Sequence, residues 1–186
     1  MLSLTPSNPT ASTRLIIVMG VSGSGKSTLA EKIAGHYGLL FLDADDFHSP
    51  ESRARMASGV PLTDAMRAPW VQAIRDYLQA RGGENCSCVL AFSGLRRAHR
   101  DQLRLAGLQT LFIFLHGNKD IIHQRMLGRT NHFMDPDLLD SQFDSLELPD
   151  QEPDIFPLDI NASPEEQLQA VAEAINHLWP GLSQSN

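Results

Sequence analysis

The stretch GVSGSGKS at residues 20–27 decides the fold, and it fits the phosphate-binding pattern G-x-x-x-x-G-K-[ST]. An apolar, β-branched run at residues 15–19 precedes it, and a helical pattern begins at Lys26. Backbone N–H groups of such a loop and of the following helix converge on phosphate oxygens, where the helix dipole also favours negative charge. Lys26 is placed to reach the β- and γ-phosphates, and the Ser27 hydroxyl to ligate Mg²⁺. The flanking strand and helix favour a nucleotide site over a flexible Gly/Ser turn.

Length and composition indicate a single domain without a nucleic-acid or membrane partner. The chain has 186 residues, 42% of them apolar, and a formal net charge of −7, whereas a nucleic-acid-binding protein needs a basic face. No run approaches transmembrane length, and residues 1–13 lack the regions of a secretory signal. We therefore expect a disordered tail at 1–13 and a cytoplasmic protein. Cys86 and Cys88 form neither a disulfide framework nor a zinc site.

Apolar strands alternate with helical stretches along the chain. The predicted strands are 15–19, 39–42, 86–92, 111–115 and 155–158, and the predicted helices are 26–37, 51–58, 65–81, 96–105, 120–128, 136–146 and 164–178. This alternation predicts an α/β fold, a three-layer α/β/α P-loop domain over residues 14–179 with a mainly parallel sheet of about five strands. We expect a helical substrate-binding insertion at 46–82, a lid at 125–137 and a C-terminal tail at 180–186.

Two aspartates follow the second predicted strand. Asp43 and Asp45 form a D-x-D at its carboxyl end, where ligands bind in such sheets. Phosphoryl transfer needs one carboxylate for the Mg²⁺ water shell and a second to orient or deprotonate the attacking hydroxyl. The third strand ends in Ser93-Gly94 without a Walker B aspartate, so we assign Asp43 to the metal and Asp45 to the acceptor hydroxyl. The alternative is an acidic loop that caps the next helix.

Several basic residues are candidates for binding anions. Arg125 and Arg129 lie four residues apart on one helix face, before a segment with the composition of a lid. A lid that brings arginines onto transferring phosphates excludes water and stabilises charge, although a solvated basic face has the same spacing. His48 either donates to a substrate hydroxyl or caps a turn. Other arginines either hold an anionic substrate or stand on the surface: Arg53, Arg55, Arg67 and Arg96.

Five stretches carry a family resemblance that runs from Leu15 to Leu178. They read GVSGSGKST at 20–28, FLDADDFH at 41–48, RMASGVPLTDAMRAPW at 55–70, SGLRRAHRDQLR at 93–104 and HFMDPDLLDSQFDSLELP at 132–149. The third and fifth stretches discriminate far better than the loop does. Together they resemble the small bacterial-type gluconokinases, which are P-loop kinases that phosphorylate D-gluconate at O6. Shikimate and adenylate kinases are related to this family.

The resemblance implies an ATP-dependent carbohydrate kinase that makes 6-phospho-D-gluconate, uses Mg²⁺ and forms a homodimer. It implies ATP-Mg²⁺ binding by Gly20, Val21, Ser22, Gly23, Ser24, Gly25, Lys26, Ser27 and Thr28, with Arg125 near the adenine and Arg129 over the phosphates. It implies a gluconate pocket bordered by Asp45, His48, Arg55, Asp64, Arg67, Arg96 and His132. The catalytic residues are then Lys26, Asp45 and Arg129, and the metal-binding residues are Ser27 and Asp43.

Four residues depart from the family's pattern. Met66 stands where the pattern has an aspartate, His99 replaces a tyrosine, Gly94 an alanine and Ser52 an asparagine. The aspartate missing at position 66 could have bonded sugar hydroxyls, and a pocket built for a hydroxyl discriminates strongly. Two alternatives therefore stay open. One is a kinase of the same build acting on another sugar acid or polyol, and the other is a non-catalytic nucleotide-binding module.

Overall fold

Five parallel strands form the centre of the molecule. The computed structural model describes residues 13–128 and 138–182. The strands pair in the order β2-β3-β1-β4-β5, so the predicted α/β fold class is confirmed. They are β1 (Arg14–Met19), β2 (Leu40–Asp43), β3 (Cys88–Phe92), β4 (Gln109–His116) and β5 (Ile155–Asp159). β3 begins two residues later than predicted because the Cys86 N–H bonds to the Arg81 carbonyl, which keeps Cys86 in the preceding turn.

Helices cover both faces of this sheet. The described ranges contain α1 (Lys26–Tyr37), α2 (Pro50–Ala57), α3 (Asp64–Gly83), α4 (Arg97–Arg104), α5 (Lys119–Leu127), α6 (Leu138–Ser145) and α7 (Pro164–Leu178). Ser49, Thr63 and Ser163 cap α2, α3 and α7 by accepting from backbone N–H groups. A short 3-10 helix (Ala44–Phe47), which the sequence analysis did not predict, follows β2 and is capped by Asp43. None of the described helices is long and apolar enough to cross a membrane.

The core lies in two layers, one on each side of the sheet. Ile16 and Val18 of β1 face the layer that α1 and α7 complete, whereas Leu15, Ile17 and Met19 face the layer that α3 and α4 complete. All five side chains are fully buried, as expected for a central parallel strand with helices on both faces. This packing fixes the carboxyl ends of β1, β2 and β3, and the residues that follow them form the site described below.

Several predicted segments fall outside the described residues. These are residues 1–12 of the predicted N-terminal tail, residues 129–137 of the predicted lid and residues 183–186 of the predicted C-terminal tail. Thr13 is described and buried, and its carbonyl accepts from the Gln109 N–H at 2.9 Å. Arg129 and His132, two of the predicted site residues, lie outside the described part of the chain and stay predictions.

Candidate active site

The glycine loop between β1 and α1 has a conformation that requires glycine. Gly20 has φ +149°, and a Cβ there would lie 2.7 Å from the Leu115 carbonyl oxygen. Gly23 has φ +79°, and a Cβ there would lie 2.5 Å from the Met126 side chain of α5. Any larger residue at either position would therefore be both strained and crowded. The loop is held between β4 and α5 in a shape that leaves no room for side chains at these two positions.

The first turn of α1 is built to receive an anion. Its N-cap residue, Gly25, offers no side-chain hydrogen bond, and its first turn contains no acidic residue. The N–H groups of this turn therefore have no side-chain cap and carry the positive end of the helix dipole. The Lys26 ammonium adds a full positive charge here, and it donates to the Val21 carbonyl of the loop at 3.0 Å.

Asp43 connects the glycine loop to the end of β2. Its Oδ2 accepts from the Ser27 hydroxyl at 2.9 Å, and its Oδ1 accepts from the Asp45 backbone N–H at 2.9 Å. The first bond brings together the two predicted metal-binding oxygens. The second bond makes Asp43 the N-cap of the 3-10 helix. The alternative interpretation, in which this acidic segment caps a helix, therefore describes one of the contacts that Asp43 makes.

The Asp45 carboxylate stands beside these groups in a partly desolvated position. Desolvation by burial raises the pKa of Asp45, and the neighbouring Asp43 charge raises it further, while Lys26 and Arg53 act in the opposite direction. A raised pKa makes a carboxylate a better proton acceptor near neutral pH. Asp45 is therefore suited to hold the proton of an attacking hydroxyl.

His48 is a buried imidazole next to Asp45. Its ring stacks on Trp70 with 4.2 Å between centroids, and the Trp70 indole N–H donates to the Ala44 carbonyl at 2.7 Å. Desolvation, followed by the nearby charges of Arg53 and Arg67, lowers the pKa of His48 to about 4. The imidazole is therefore neutral at pH 7 and can donate one hydrogen bond and accept another.

These side chains share one cleft, which we call the central cleft. It lies between the glycine loop, the segment after β2, the end of β3 and helices α3 and α6. Its lining includes six residues that the sequence analysis assigned to the site: Ser22, Lys26, Ser27, Asp43, Asp45 and His48. Arg67, a further predicted substrate residue, also lines it, and its guanidinium pairs with Asp64 at 3.2 Å.

Three predicted substrate residues do not line the central cleft. Asp64 pairs with Arg67 but is itself largely exposed, and Arg96 lies 3.8 Å from Asp64 and 3.8 Å from Glu147. Arg55 donates to the Pro61 carbonyl at 3.0 Å. Asp64 and Arg96 can thus act on a ligand through Arg67 or after a change of conformation, and their roles stay predictions.

A second cleft, which we call the side cleft, lies on the other side of the α1 N-terminus. Ser24, Gly25 and Thr28 form one wall, and the loop between β5 and α7, with Pro164, forms another. Arg125 also lines this cleft, and its guanidinium donates to the Ile160 carbonyl at 3.1 Å. A nucleotide with its phosphates on the glycine loop could extend its base into this space.

The central cleft also contains residues that the sequence analysis did not assign. Ser141 and Gln142 of α6 line it, and so do Trp70, Ser93 and Leu95. The Gln142 side-chain oxygen accepts from the Ser22 backbone N–H at 2.6 Å. Gln142 belongs to the fifth of the resemblance-bearing stretches, so a signal was present, but nothing in that stretch points to the glycine loop 120 residues away.

Comparisons with known proteins identify the family of this chain. The model of a family described as "AAA domain" matches residues 15–149. A mouse protein named "Probable gluconokinase" is 40% identical, covering 87% of this chain and 97% of its own. The "Thermoresistant gluconokinase" of Escherichia coli K12 is 36% identical, covering 87% of this chain and 93% of its own. The chain belongs to the gluconokinase family.

A solved gluconokinase from Sinorhizobium meliloti superposes with a TM-score of 0.77 at 36% identity, covering 90% of this chain and 98% of its own. An unliganded sugar kinase from a Janibacter species superposes with a TM-score of 0.85 at 38% identity, covering 93% and 99%. The resemblance predicted from the sequence is thus confirmed over nearly the whole domain.

Met66, the main departure from the gluconokinase pattern, lies in an apolar environment. Met66 packs against a small apolar cluster of Met56, Leu62 and Leu138, which joins α2, α3 and α6 beside the central cleft. Leu62 and Leu138 also line that cleft. An aspartate at position 66 would place a charge against this cluster, whereas methionine completes it.

Proposed function

We propose that this protein transfers the γ-phosphoryl group of ATP to the 6-hydroxyl of D-gluconate. The observation that carries the proposal is the central cleft, in which the Lys26 ammonium, the Ser27–Asp43 pair and the Asp45 carboxylate converge at the glycine loop. The names of the gluconokinase relatives support gluconate as the acceptor. The intact cleft disfavours a non-catalytic nucleotide-binding module.

In the proposed reaction, a bond forms between gluconate O6 and the γ-phosphorus while the bond to the β–γ bridging oxygen breaks. The bridging oxygen keeps the electron pair and leaves with ADP, and the hydroxyl proton passes to Asp45. Negative charge builds on the phosphoryl and leaving oxygens. Lys26 and the N–H groups of the loop and α1 stabilise that charge, because they are fixed around the site before the reaction begins.

The residues at the loop fit a magnesium ion. Mg²⁺ in kinases takes one or two protein oxygens and completes its shell with phosphate oxygens and water. Ser27 and Asp43 supply two hard oxygens 2.9 Å apart beside the loop. The described residues contain no group of three His, Cys, Asp or Glu that could hold a metal ion unaided. When bound with ATP, the ion would neutralise charge on the β- and γ-phosphate oxygens.

On the acceptor side, we propose that Arg67 and His48 contact gluconate. Arg67 contributes a planar cationic group suited to a carboxylate, and His48 contributes a neutral donor and acceptor suited to sugar hydroxyls. The proposal keeps Arg125 beside the adenine of ATP and Arg129 over its phosphates. It also keeps as further pocket residues Arg55, Asp64, Arg96 and His132. It also keeps a homodimer, which size-exclusion chromatography with light scattering tests.

We expect D-gluconate to be the preferred acceptor in a panel of aldonic acids and polyols. ADP release is measured for each compound at equal concentration, with an ATP-only reaction as the background. A tenfold or larger advantage of gluconate in kcat/KM supports the proposal. Preference for another acceptor supports a kinase with altered specificity, the alternative suggested by Met66 in place of the family's aspartate. ADP release that no acceptor stimulates supports a binding module instead.

Replacing Asp45 with asparagine is expected to lower kcat by at least about a hundredfold, because the amide cannot take the hydroxyl proton. The KM for ATP should change little, because the side chain is assigned to the acceptor hydroxyl. Asp46→Asn is the matched control, since the Asp46 side chain is 78% exposed and pairs with Arg53 at 3.3 Å. An Asp45→Asn enzyme with wild-type kcat would exclude this role.

A further inference from the structure

Gln142 connects α6 to the glycine loop at the point where the phosphoryl group would move. Its Oε1 accepts from the Ser22 N–H at 2.6 Å, and Ser22 itself is 4% exposed. Ser22 and Gln142 line the central cleft together with Lys26 and Asp45. The loop residues Ser24 and Gly25 line the side cleft instead. Ser22 is therefore on the acceptor side of the loop, and so is the carboxamide bonded to it.

The chemistry of the Ser22 bond fixes the orientation of the carboxamide. A backbone N–H is a donor, so the atom that faces it must be the carbonyl oxygen of Gln142. The amide nitrogen, which is bonded to the same carbon as this oxygen, carries two N–H donors. Those donors belong to a neutral group, which can bond to phosphoryl oxygens without attracting a proton from the acceptor hydroxyl.

α6 is anchored well enough to place this side chain. Leu138 and Leu139 in its first turn are buried, and Phe143 packs against the core layer formed by α1 and α7. After the helix, the Glu147 N–H donates to the Leu95 carbonyl at 2.8 Å, at the turn that follows β3. Packing thus holds the helix at both ends, and Gln142 projects between them towards the loop.

We infer that Gln142 is a further catalytic residue, whose carboxamide N–H donates to an oxygen of the phosphoryl group in transit while its oxygen stays on Ser22. The inference rests on the proposed phosphoryl transfer and adds a neutral donor to the cationic donor Lys26 in the same cleft. Donors fixed around developing charge act mainly on the transition state. The contribution of Gln142 should therefore appear in kcat rather than in the affinity for ADP.

The test compares two replacements of similar size. Gln142→Glu keeps an oxygen that can accept from Ser22 but supplies no donor at neutral pH, whereas Gln142→Met supplies neither. Both are expected to lower kcat by about a hundredfold, the typical effect of losing one fixed donor. ADP affinity, measured by calorimetry, should stay close to wild type for Gln142→Met, whereas its thermal midpoint should fall by a few degrees because the buried Ser22 N–H loses its acceptor. Gln169→Glu on α7 is the control for added charge on the surface, since Gln169 is exposed and its side chain donates to Glu173 at 3.2 Å.

The outcomes separate this inference from the proposed function. Kinetics are measured with whichever acceptor of the panel the wild-type enzyme phosphorylates best. If Gln142→Glu keeps the wild-type kcat, whatever the result for Gln142→Met, Gln142 serves only as an acceptor for the Ser22 N–H. That outcome would overturn the inference and leave the proposed function intact. A wild-type protein that phosphorylates no acceptor would overturn the proposed function and this inference together.

Discussion

Replacing Lys26 with alanine is expected to lower kcat by about a thousandfold, the scale on which fixed charges act in phosphoryl transfer. Lys26 is the first residue of α1, and its ammonium already lies at the loop, 3.0 Å from the Val21 carbonyl. In the proposed complex with ATP, the ammonium would bond to phosphate oxygens beside this loop. The variant therefore loses a charge that the fold has placed in advance.

Two further variants make the Lys26 experiment specific. Lys26→Met keeps most of the aliphatic chain and should be as inactive as Lys26→Ala, since the ammonium and not the packing is at issue. Arg81→Met removes one positive charge at the end of α3, where Arg81 pairs with Glu84 at 2.9 Å, and should retain activity. Turnover by either Lys26 variant within tenfold of wild type would contradict the assignment of Lys26.

Local sequence patterns were sufficient to predict the strands of the sheet and the candidate site residues next to the glycine loop. Parallel strands buried on both faces are continuous apolar runs, so their positions are visible without knowledge of their neighbours. Asp43 and Asp45 were found because parallel strands place their carboxyl ends at one edge. The boundary of β3 was misplaced because Cys86 is as apolar as Cys88, and only the bond to the Arg81 carbonyl separates them.

Contacts between distant segments could not be predicted in this way. The bond between Gln142 and Ser22 joins residues 120 positions apart, and no spacing rule relates a helix after β4 to a loop after β1. Arg100 is a second case. It lies on α4 among residues that read as an exposed, charged face, yet its side chain is completely buried. Its acidic partner, Glu152, is 52 residues further along the chain.

Arg100 is the centre of a buried polar network beside the central cleft. Its guanidinium donates to both carboxylate oxygens of Glu152, to the Gly94 carbonyl at 2.6 Å and to the Glu147 carbonyl at 3.1 Å. Gly94 follows Ser93 in the wall of the central cleft, and Glu147 follows α6. One side chain therefore fastens the turn after β3 to the segment that positions Gln142.

Removing this guanidinium should cost more stability than any surface change. Arg100→Met leaves the Gly94 and Glu147 carbonyls without this donor, and Glu152 keeps only Arg104, which donates to it at 2.6 Å. The cost should therefore be about 3 kcal/mol, the lower end of the range for a broken buried pair. Arg97→Met is the matched control on the same helix, because Arg97 is 60% exposed and lies 3.9 Å from Asp101. Its cost should stay below about 1 kcal/mol. Urea unfolding followed by circular dichroism measures both free energies.

The double variant Arg100→Met/Glu152→Leu separates the loss of the Arg100–Glu152 pair from the burial of a carboxylate that has lost one of its two guanidinium partners. Removing both partners deletes a buried carboxylate that Arg100→Met leaves with Arg104 as its remaining guanidinium, so the double variant should be less destabilised than the sum of the two single variants. Arg104 would keep a partner in that variant, because its Nε also donates to Asp154 at 2.8 Å. If the free-energy losses of the two single variants add strictly in the double variant, Arg100 stabilises the fold through the Gly94 and Glu147 carbonyls alone. In that case Glu152 would serve Arg104 and not the wall of the cleft.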